Sequence, residues 1–261
     1  MKNDSDFDEQ RDFYAAERMN DIILLRFKED MLFRTTDLNL RDEVLGYLER
    51  VSKSDSIKVM VLFSSPDKSG IEEYFEFYHQ LLKSKWAQND FHRLCNTVDQ
   101  FIMKIVDSNK IIIHANSGRV ISLYLNVSLA CDYRIVADNT VFQNPDIELG
   151  LVPKGGGPFF LSKRLGLSKA YEILLSGEDI TAHEAQDLGF VDKVVPLNTL
   201  ENAALEVAHR FAQKPASTLA GGKRLLHFSM NDLKDYLRLE NQELLRIIVS
   251  SLKPSQTLSP M

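Results

Sequence analysis

The stretch KIIIHANSGRVISLYLNVSLACDYRIVAD, residues 110–138, decides the architecture of this chain. Its opening segment, Lys110 to Ala115, is a brief run rich in β-branched residues and reads as a buried strand. Asn116-Ser117-Gly118 interrupts it as a turn. Val120 to Ala130 is almost wholly apolar and too long for a typical strand, so it reads as a buried helix. Cys131 to Ala137 then resumes an extended pattern. A strand, a buried helix and a second strand in close succession point to an α/β fold.

The same grammar continues outward. Ile22 to Phe27 and Lys58 to Phe63 are further short apolar runs of strand character. Between the strands lie segments with helical spacing: Leu38 to Val51, with Leu40, Val44, Leu45 and Leu48 on one face, and Val98 to Val106. Ser64 to Lys68 breaks the second run, and Ser69-Gly70-Ile71-Glu72-Glu73 is a helix start with a serine cap and an acidic first turn. That helix continues through Tyr74, Phe77 and Leu81. Residues 1–20 have sparse apolar and frequent charged residues, so they read as a polar lead-in or a short helix.

Beyond the central stretch, Asn139 to Phe142 suggests a short strand before Pro145. Lys154-Gly155-Gly156-Gly157-Pro158 reads as a loop that lets a ligand or another backbone come close. In Thr181-Ala182-His183-Glu184 the threonine and the glutamate three residues on make a capping box, and Gly189 fits the end of that helix. Val191 to Val195 is strand-like. Leu200 to Ala212 and Leu233 to Val249 are amphipathic helices, with Lys214-Pro215 as a break between them. The expected organisation is a lead-in at 1–20, a core at 21–200 and a C-terminal helical region at 201–261.

At 261 residues and 44% hydrophobic, the chain supports one substantial core. Its 31 basic against 37 acidic residues leave a net charge of −6, which argues against nucleic acid as a partner. The two cysteines, Cys95 and Cys131, have no metal-ligand spacing and form no disulfide framework, so a cytoplasmic setting is expected. The six histidines are likewise scattered, and no metal site is expected. No stretch reaches the roughly 18 apolar residues that a membrane span needs, and the acidic N-terminus lacks the features of a signal peptide.

Leu129-Ala130-Cys131-Asp132-Tyr133-Arg134-Ile135-Val136-Ala137-Asp138 is followed by Phe142, Pro145-Asp146 and Leu149-Gly150-Leu151-Val152-Pro153. Next come Gly155-Gly156-Gly157, Leu165-Gly166, Leu174-Leu175-Ser176-Gly177, Ala182-His183-Glu184-Ala185 and Leu188-Gly189-Phe190-Val191-Asp192. In order and spacing this series, lying between Lys110 and about Arg224, resembles the crotonase, or enoyl-CoA hydratase/isomerase, family. The resemblance implies an α/β spiral of ββα units with a C-terminal helical region that packs between subunits, in a homotrimer or a dimer of trimers. It also implies an acyl-CoA thioester as ligand, with coenzyme A entering as part of the substrate and no separate cofactor.

Members of that family stabilise an enolate with two fixed backbone N–H groups, which work because they point at developing charge away from water. Carried over without a gap from Asp132, one amide belongs to Leu123, within Ser122-Leu123-Tyr124, where the family has glycines. The other is assigned to Gly70, whose alternative is a plain turn. The two hydratase glutamates fall on Asn126 and Asp146. Asn126 either orients a water or caps a buried backbone group, and Asp146 either shuttles a proton or stabilises a turn. His114 reads as a satisfied core histidine rather than a general base, and Lys154 as an exposed loop lysine rather than a phosphate contact. Lys223-Arg224 matches a basic position that helps to hold the nucleotide end of coenzyme A. Lys28 to Thr36, KEDMLFRTT, departs from the proline- and asparagine-containing turn of the family. The expected activity is hydratase/isomerase-type chemistry with an isomerase-like proton shuttle through Asp146. The alternatives are a crotonase-fold subunit or scaffold without catalysis, and an acyl-CoA thioester hydrolase.

Overall fold

The computed structural model describes residues 7–28, 32, 37–64, 71–83 and 87–251. In chain order its strands are β1 (Glu9–Gln10), β2 (Tyr14–Met19), β3 (Ile22–Phe27), β4 (Val59–Phe63), β5 (Ile111–Asn116), β6 (Arg119–Ile121), β7 (Tyr133–Ala137), β8 (Val141–Gln143), β9 (Ile180–Thr181) and β10 (Lys193–Val195). The helices are α1 (Leu38–Lys53), α2 (Ile71–Lys83), α3 (Ala87–Asp107), α4 (Ser122–Ala130), α5 (Gly157–Leu165), α6 (Leu167–Ser176), α7 (Ala182–Leu188), α8 (Leu200–Ala212), α9 (Ala216–Leu226) and α10 (Leu233–Ser251).

The main sheet runs β1-β2-β3-β4-β5-β7-β10, antiparallel through β3 and parallel from β3 onward. A parallel sheet needs cover on both faces, and its alternating residues supply two apolar surfaces. Ile22, Leu24, Val59, Val61, Ile111 and Ile113 meet Ala204, Val207 and Ala208 of α8. Ile23, Leu25, Met60, Leu62 and Ile112 point the other way, into the larger core beneath α1, α3 and α4. The side sheet β6-β8-β9 carries the chain past the end of the main sheet and into α4 and α7.

Three expectations change. Residues 14–19 are not a polar lead-in: β2 pairs with β3 from Tyr14↔Phe27 to Met19↔Ile22, and Phe13, Tyr14 and Ala16 are buried. Asn20, at φ 57° in the turn between them, takes the left-handed conformation that a tight hairpin requires and asparagine tolerates. The run from Val120 divides, because Arg119–Ile121 pairs in parallel with β8 and the helix starts only at Ser122. The Val98 to Val106 helix begins earlier, at Ala87. The serine cap expected at Ser69 lies outside the described residues.

The capping box is present as read: the Thr181 hydroxyl accepts from the Glu184 amide, the Glu184 carboxylate accepts from the Thr181 amide, and Gly189 closes α7 in the left-handed conformation.

Candidate active site

The first turn of α4 sets the site. Ser122 opens the helix and donates its hydroxyl to Oδ2 of Asp146 at 2.6 Å, while Tyr74 of α2 donates its phenol to Oδ1. Asp146 is held by its own turn, in which the Leu149 amide donates to the Pro145 carbonyl and the Leu151 amide to the Asp146 carbonyl. Its exposure is 1%. Burial drives its carboxyl up to about 6, against the two hydroxyl donors, which favour the ionised form. The chain therefore brings to one point a carboxyl that changes charge near neutrality and two hydroxyls aimed at it.

Leu123 occupies the first turn of α4, whose amides have no acceptor within the helix and lie at the positive end of its dipole. Its side chain is buried and lies beside Asn126 against the glycine loop, where a Cβ on Gly155 would come within 3.5 Å of Leu123 Cδ1. Gly70, the expected second amide, lies outside the described residues, as does most of the Lys28 to Thr36 segment.

Asn126 bonds the backbone. Its Nδ2 donates to the Lys154 carbonyl at 3.0 Å, and its Oδ1 lies where a Cβ on Gly157 would come within 2.5 Å. It holds the glycine loop against α4, the backbone-capping role that its amide suits.

Lys154 is also not an exposed loop lysine. Its ammonium is fully enclosed and paired with Asp99 of α3 and with Glu240 of α10, the latter at 3.1 Å. Although burial opposes the charge, Glu240 and Asp99 together hold the ammonium above its ordinary range. The Glu240 carboxylate also accepts from the amides of Gly155 and Gly156, at 2.6 and 2.9 Å. The loop's amides are thus turned inward to the C-terminal helix rather than toward a ligand.

Lys223 is corrected too. Its ammonium donates to the carbonyls of Ile105 and Lys110, each at 3.0 Å, and to Asp132 at 2.8 Å, so all three of its donors are engaged inside the chain. Arg224, next to it, is exposed.

His114 behaves as a core histidine. Buried on β5 and pushed down to about 3 by desolvation and by Arg134, it is neutral and hydrogen-bonded to Ser64 at 2.9 Å. Ser64 donates its one proton to Oδ1 of Asn116 at 2.5 Å, so the histidine is the donor toward Ser64 and does not activate it as a nucleophile.

Two partners of the site escaped the sequence reading. Tyr74 falls in the helix that the sequence carries through Tyr74, Phe77 and Leu81, and it is buried there; the need of a buried phenol for a polar partner is the available signal. Glu240 stands in the buried stripe Leu233, Leu237, Glu240, Leu244, Ile248, where a carboxylate calls for a cation or amides. Among the described residues no group of His, Cys, Asp and Glu forms a metal site, and no helix is long and apolar enough to cross a membrane.

The sequence matches the family model described as enoyl-CoA hydratase/isomerase over residues 17–254. It is 28% identical over 213 residues to 2,3-dehydroadipyl-CoA hydratase of Escherichia coli (strain K12), covering 81% of this chain and 80% of that protein. It is 34% identical over 134 residues to "Probable enoyl-CoA hydratase, mitochondrial" of Dictyostelium discoideum, and this match covers 51% of the chain and 48% of the Dictyostelium protein's length. Among solved structures, the enoyl-CoA hydratase from Bacillus halodurans superposes with a TM-score of 0.80 at 20% identity, over 92% of this chain and 96% of that one. At that identity the likeness speaks for the fold, which is the crotonase-like α/β architecture expected from the motif series. With a family model spanning nearly its whole length, the chain belongs to the enoyl-CoA hydratase/isomerase family.

Proposed function

We propose that this chain binds an acyl-CoA thioester and moves a single proton on it through Asp146, shifting a double bond in the manner of an isomerase. The observation that carries the reading is the Asp146 cluster: one buried carboxyl, raised to about 6, held by Tyr74 and Ser122 at the start of α4. A two-carboxylate hydration is disfavoured because position 126 carries an amide bonded to the Lys154 carbonyl. In the proposed step the ionised Asp146 takes a proton from one carbon of the enoyl group, the electron pair moves into the thioester oxygen, and the Leu123 amide stabilises the enolate. The protonated carboxyl then returns that proton to another carbon of the same chain, so atoms and charge balance without a cofactor beyond the coenzyme A of the substrate. Because Asp146 is enclosed, the substrate reaches it by displacing the Tyr74 hydroxyl. Arg224, exposed on α9, is the remaining candidate for the nucleotide end of coenzyme A.

The reading extends to assembly and setting. Leu167, Tyr171 and Leu175 repeat at four-residue spacing on α6 with exposures of 68, 63 and 61%, and Leu225, Leu226 and Phe228 form a second apolar group. Such patches support a trimer, or a dimer of trimers, as the form in which the chain acts. Cys95 and Cys131 are both free and buried, in keeping with a reducing cytoplasm.

A second reading, a crotonase-fold subunit without catalysis, is favoured by the closure of Tyr74 over Asp146 and by the bulk of Leu123 and Tyr124 at the helix start. Calorimetric titration with a short enoyl-CoA against free coenzyme A, followed by turnover of the wild type and Asp146→Asn, separates the two. Tighter binding of the thioester and turnover lost in the variant support the shuttle. Undiminished turnover in the variant removes Asp146 from the mechanism, release of free coenzyme A identifies hydrolysis instead, and binding of neither ligand favours the non-catalytic subunit.

A further inference from the structure

A small cavity lies between the start of α4, the end of β8, α5 and the segment that runs from α6 into β9. Leu125, Phe142, Leu161, Ile173 and Ile180 form its apolar wall, and it has room for one group the size of a water. Its polar border is made by the side chains of Ser122, Asn126, Gln143, Asn144 and Glu178. Among the described residues lining it no basic side chain occurs, and Glu178 is exposed at the rim.

Three of these side chains have their donor atoms bonded elsewhere. The Ser122 hydroxyl gives its one proton to Asp146 at 2.6 Å, Gln143 Nε2 donates to Asp179 at 3.1 Å, and Asn144 Nδ2 donates to the Leu174 carbonyl at 2.9 Å. Turning either amide over would set its oxygen against the Asp179 carboxylate or the Leu174 carbonyl, so the two bonds fix which atom of each amide is left as an acceptor. Those acceptors, Gln143 Oε1 and Asn144 Oδ1, are buried and have no hydrogen-bond partner among the described residues, a costly state for a carbonyl oxygen. Asn126 is turned to the glycine loop by its bond to the Lys154 carbonyl. A water has only two protons to give and needs donors in return. A small cation satisfies every oxygen at once, and Glu178 offsets its charge. Oxygen ligands suit a hard ion, and a single carboxylate suits one positive charge better than two.

We infer that Ser122, Gln143, Asn144 and Glu178 form a binding site for a monovalent cation the size of a water, potassium or ammonium. Ser122 links the site to Asp146, because the residue that borders the cavity also donates to that carboxylate. The inference does not depend on the reaction proposed for Asp146.

It is tested on the full, isotope-labelled chain by following the side-chain amide resonances of Gln143 and Asn144 during titration with potassium chloride and with ammonium chloride, each against tetramethylammonium chloride at fixed ionic strength, and with magnesium chloride in parallel. The expected result is a saturable shift at both amides with potassium or ammonium and none with the larger tetramethylammonium ion. Whichever of the two binds more tightly identifies the source, potassium for a coordinated metal ion and ammonium for a hydrogen-bonding one. Glu178→Gln, at an exposed position, should weaken binding about five-fold, as loss of one exposed charge implies. Gln143→Met, followed at Asn144, should weaken it about ten-fold, as loss of a bond to a charged group implies. An equal response to tetramethylammonium, tighter binding of magnesium, unchanged affinity in Gln143→Met, or no saturable shift with either ion, which would leave the two oxygens to water, would each overturn the assignment. The wild-type titrations decide the question even where a variant fails to fold.

Discussion

Asp146 and Lys223 show how differently two polar residues with similar burial act. The carboxyl of Asp146 is raised to about 6 from its ordinary 3.8. Between those values the native state holds a proton that the unfolded chain has released, so this group's contribution to stability falls as the pH rises from about 4 to 6 and stays low above that. Asp146→Asn should therefore be more stable than the wild type at pH 7, by about 3 kcal/mol, and gain nothing at pH 3.5, as urea unfolding at the two pH values will show. Lys223 is the reverse case, a buried cation with every donor engaged. Lys223→Met leaves Asp132 without that partner and should cost about 3 kcal/mol in the same assay, whereas Arg224→Ala should stay within about 0.5 kcal/mol. The residues that make the family legible are of the second kind. Asp132 accepts from the Ile112 amide and Lys223, and the Arg134 guanidinium bridges Asp192 and the Cys131 carbonyl. They tie strands to helices and carry no reaction step.

Among the elements, α10 is the one whose role emerges only from packing. Its stripe Leu233, Leu237, Leu244 and Ile248 predicts an apolar face, and Glu240 within that stripe becomes intelligible once Lys154 and the amides of Gly155 and Gly156 are seen to meet it. The carboxylate thereby joins the C-terminal helix to the loop that Asn126 holds against α4. Glu240→Ala should destabilise the chain by roughly 3–5 kcal/mol, the cost of breaking a buried charged pair, and should speed hydrogen exchange at Gly155 and Gly156 before the rest of the sheet. A cost near 1 kcal/mol, with unchanged exchange there, would mean that α10 is docked by its leucines alone. Helix α7 is the contrasting element, since Thr181, Glu184 and Gly189 specify both of its ends locally and the structure repeats them.

For the molecule as a whole, the two groups of exposed apolar side chains on α6 and near the end of α9 set the expected assembly. Light scattering should give a multiple of three times the 29.8 kDa chain mass, and the charged replacement Leu225→Glu together with Tyr171→Glu should shift the mass to that of one chain; a monomeric wild type would remove the assembly from the reading. What the sequence determined by itself is local and periodic. The short apolar runs at 22–27, 58–63 and 110–115 could be read because burial on both faces demands apolar residues at most positions, and the capping box because its bonds span three residues. The hairpin at 14–27 was missed because β2 alternates around charged residues, and its burial depends on β3 lying beside it. What only the tertiary structure decided is which polar groups meet: Tyr74 with Asp146 across 72 residues, Lys223 with Asp132 across 91, and Lys154 with Glu240 across 86. A side chain's charge and reach are written in the sequence, but its partner is selected by the fold, and for a buried polar group that partner determines whether it stabilises the chain, positions a loop or holds a proton.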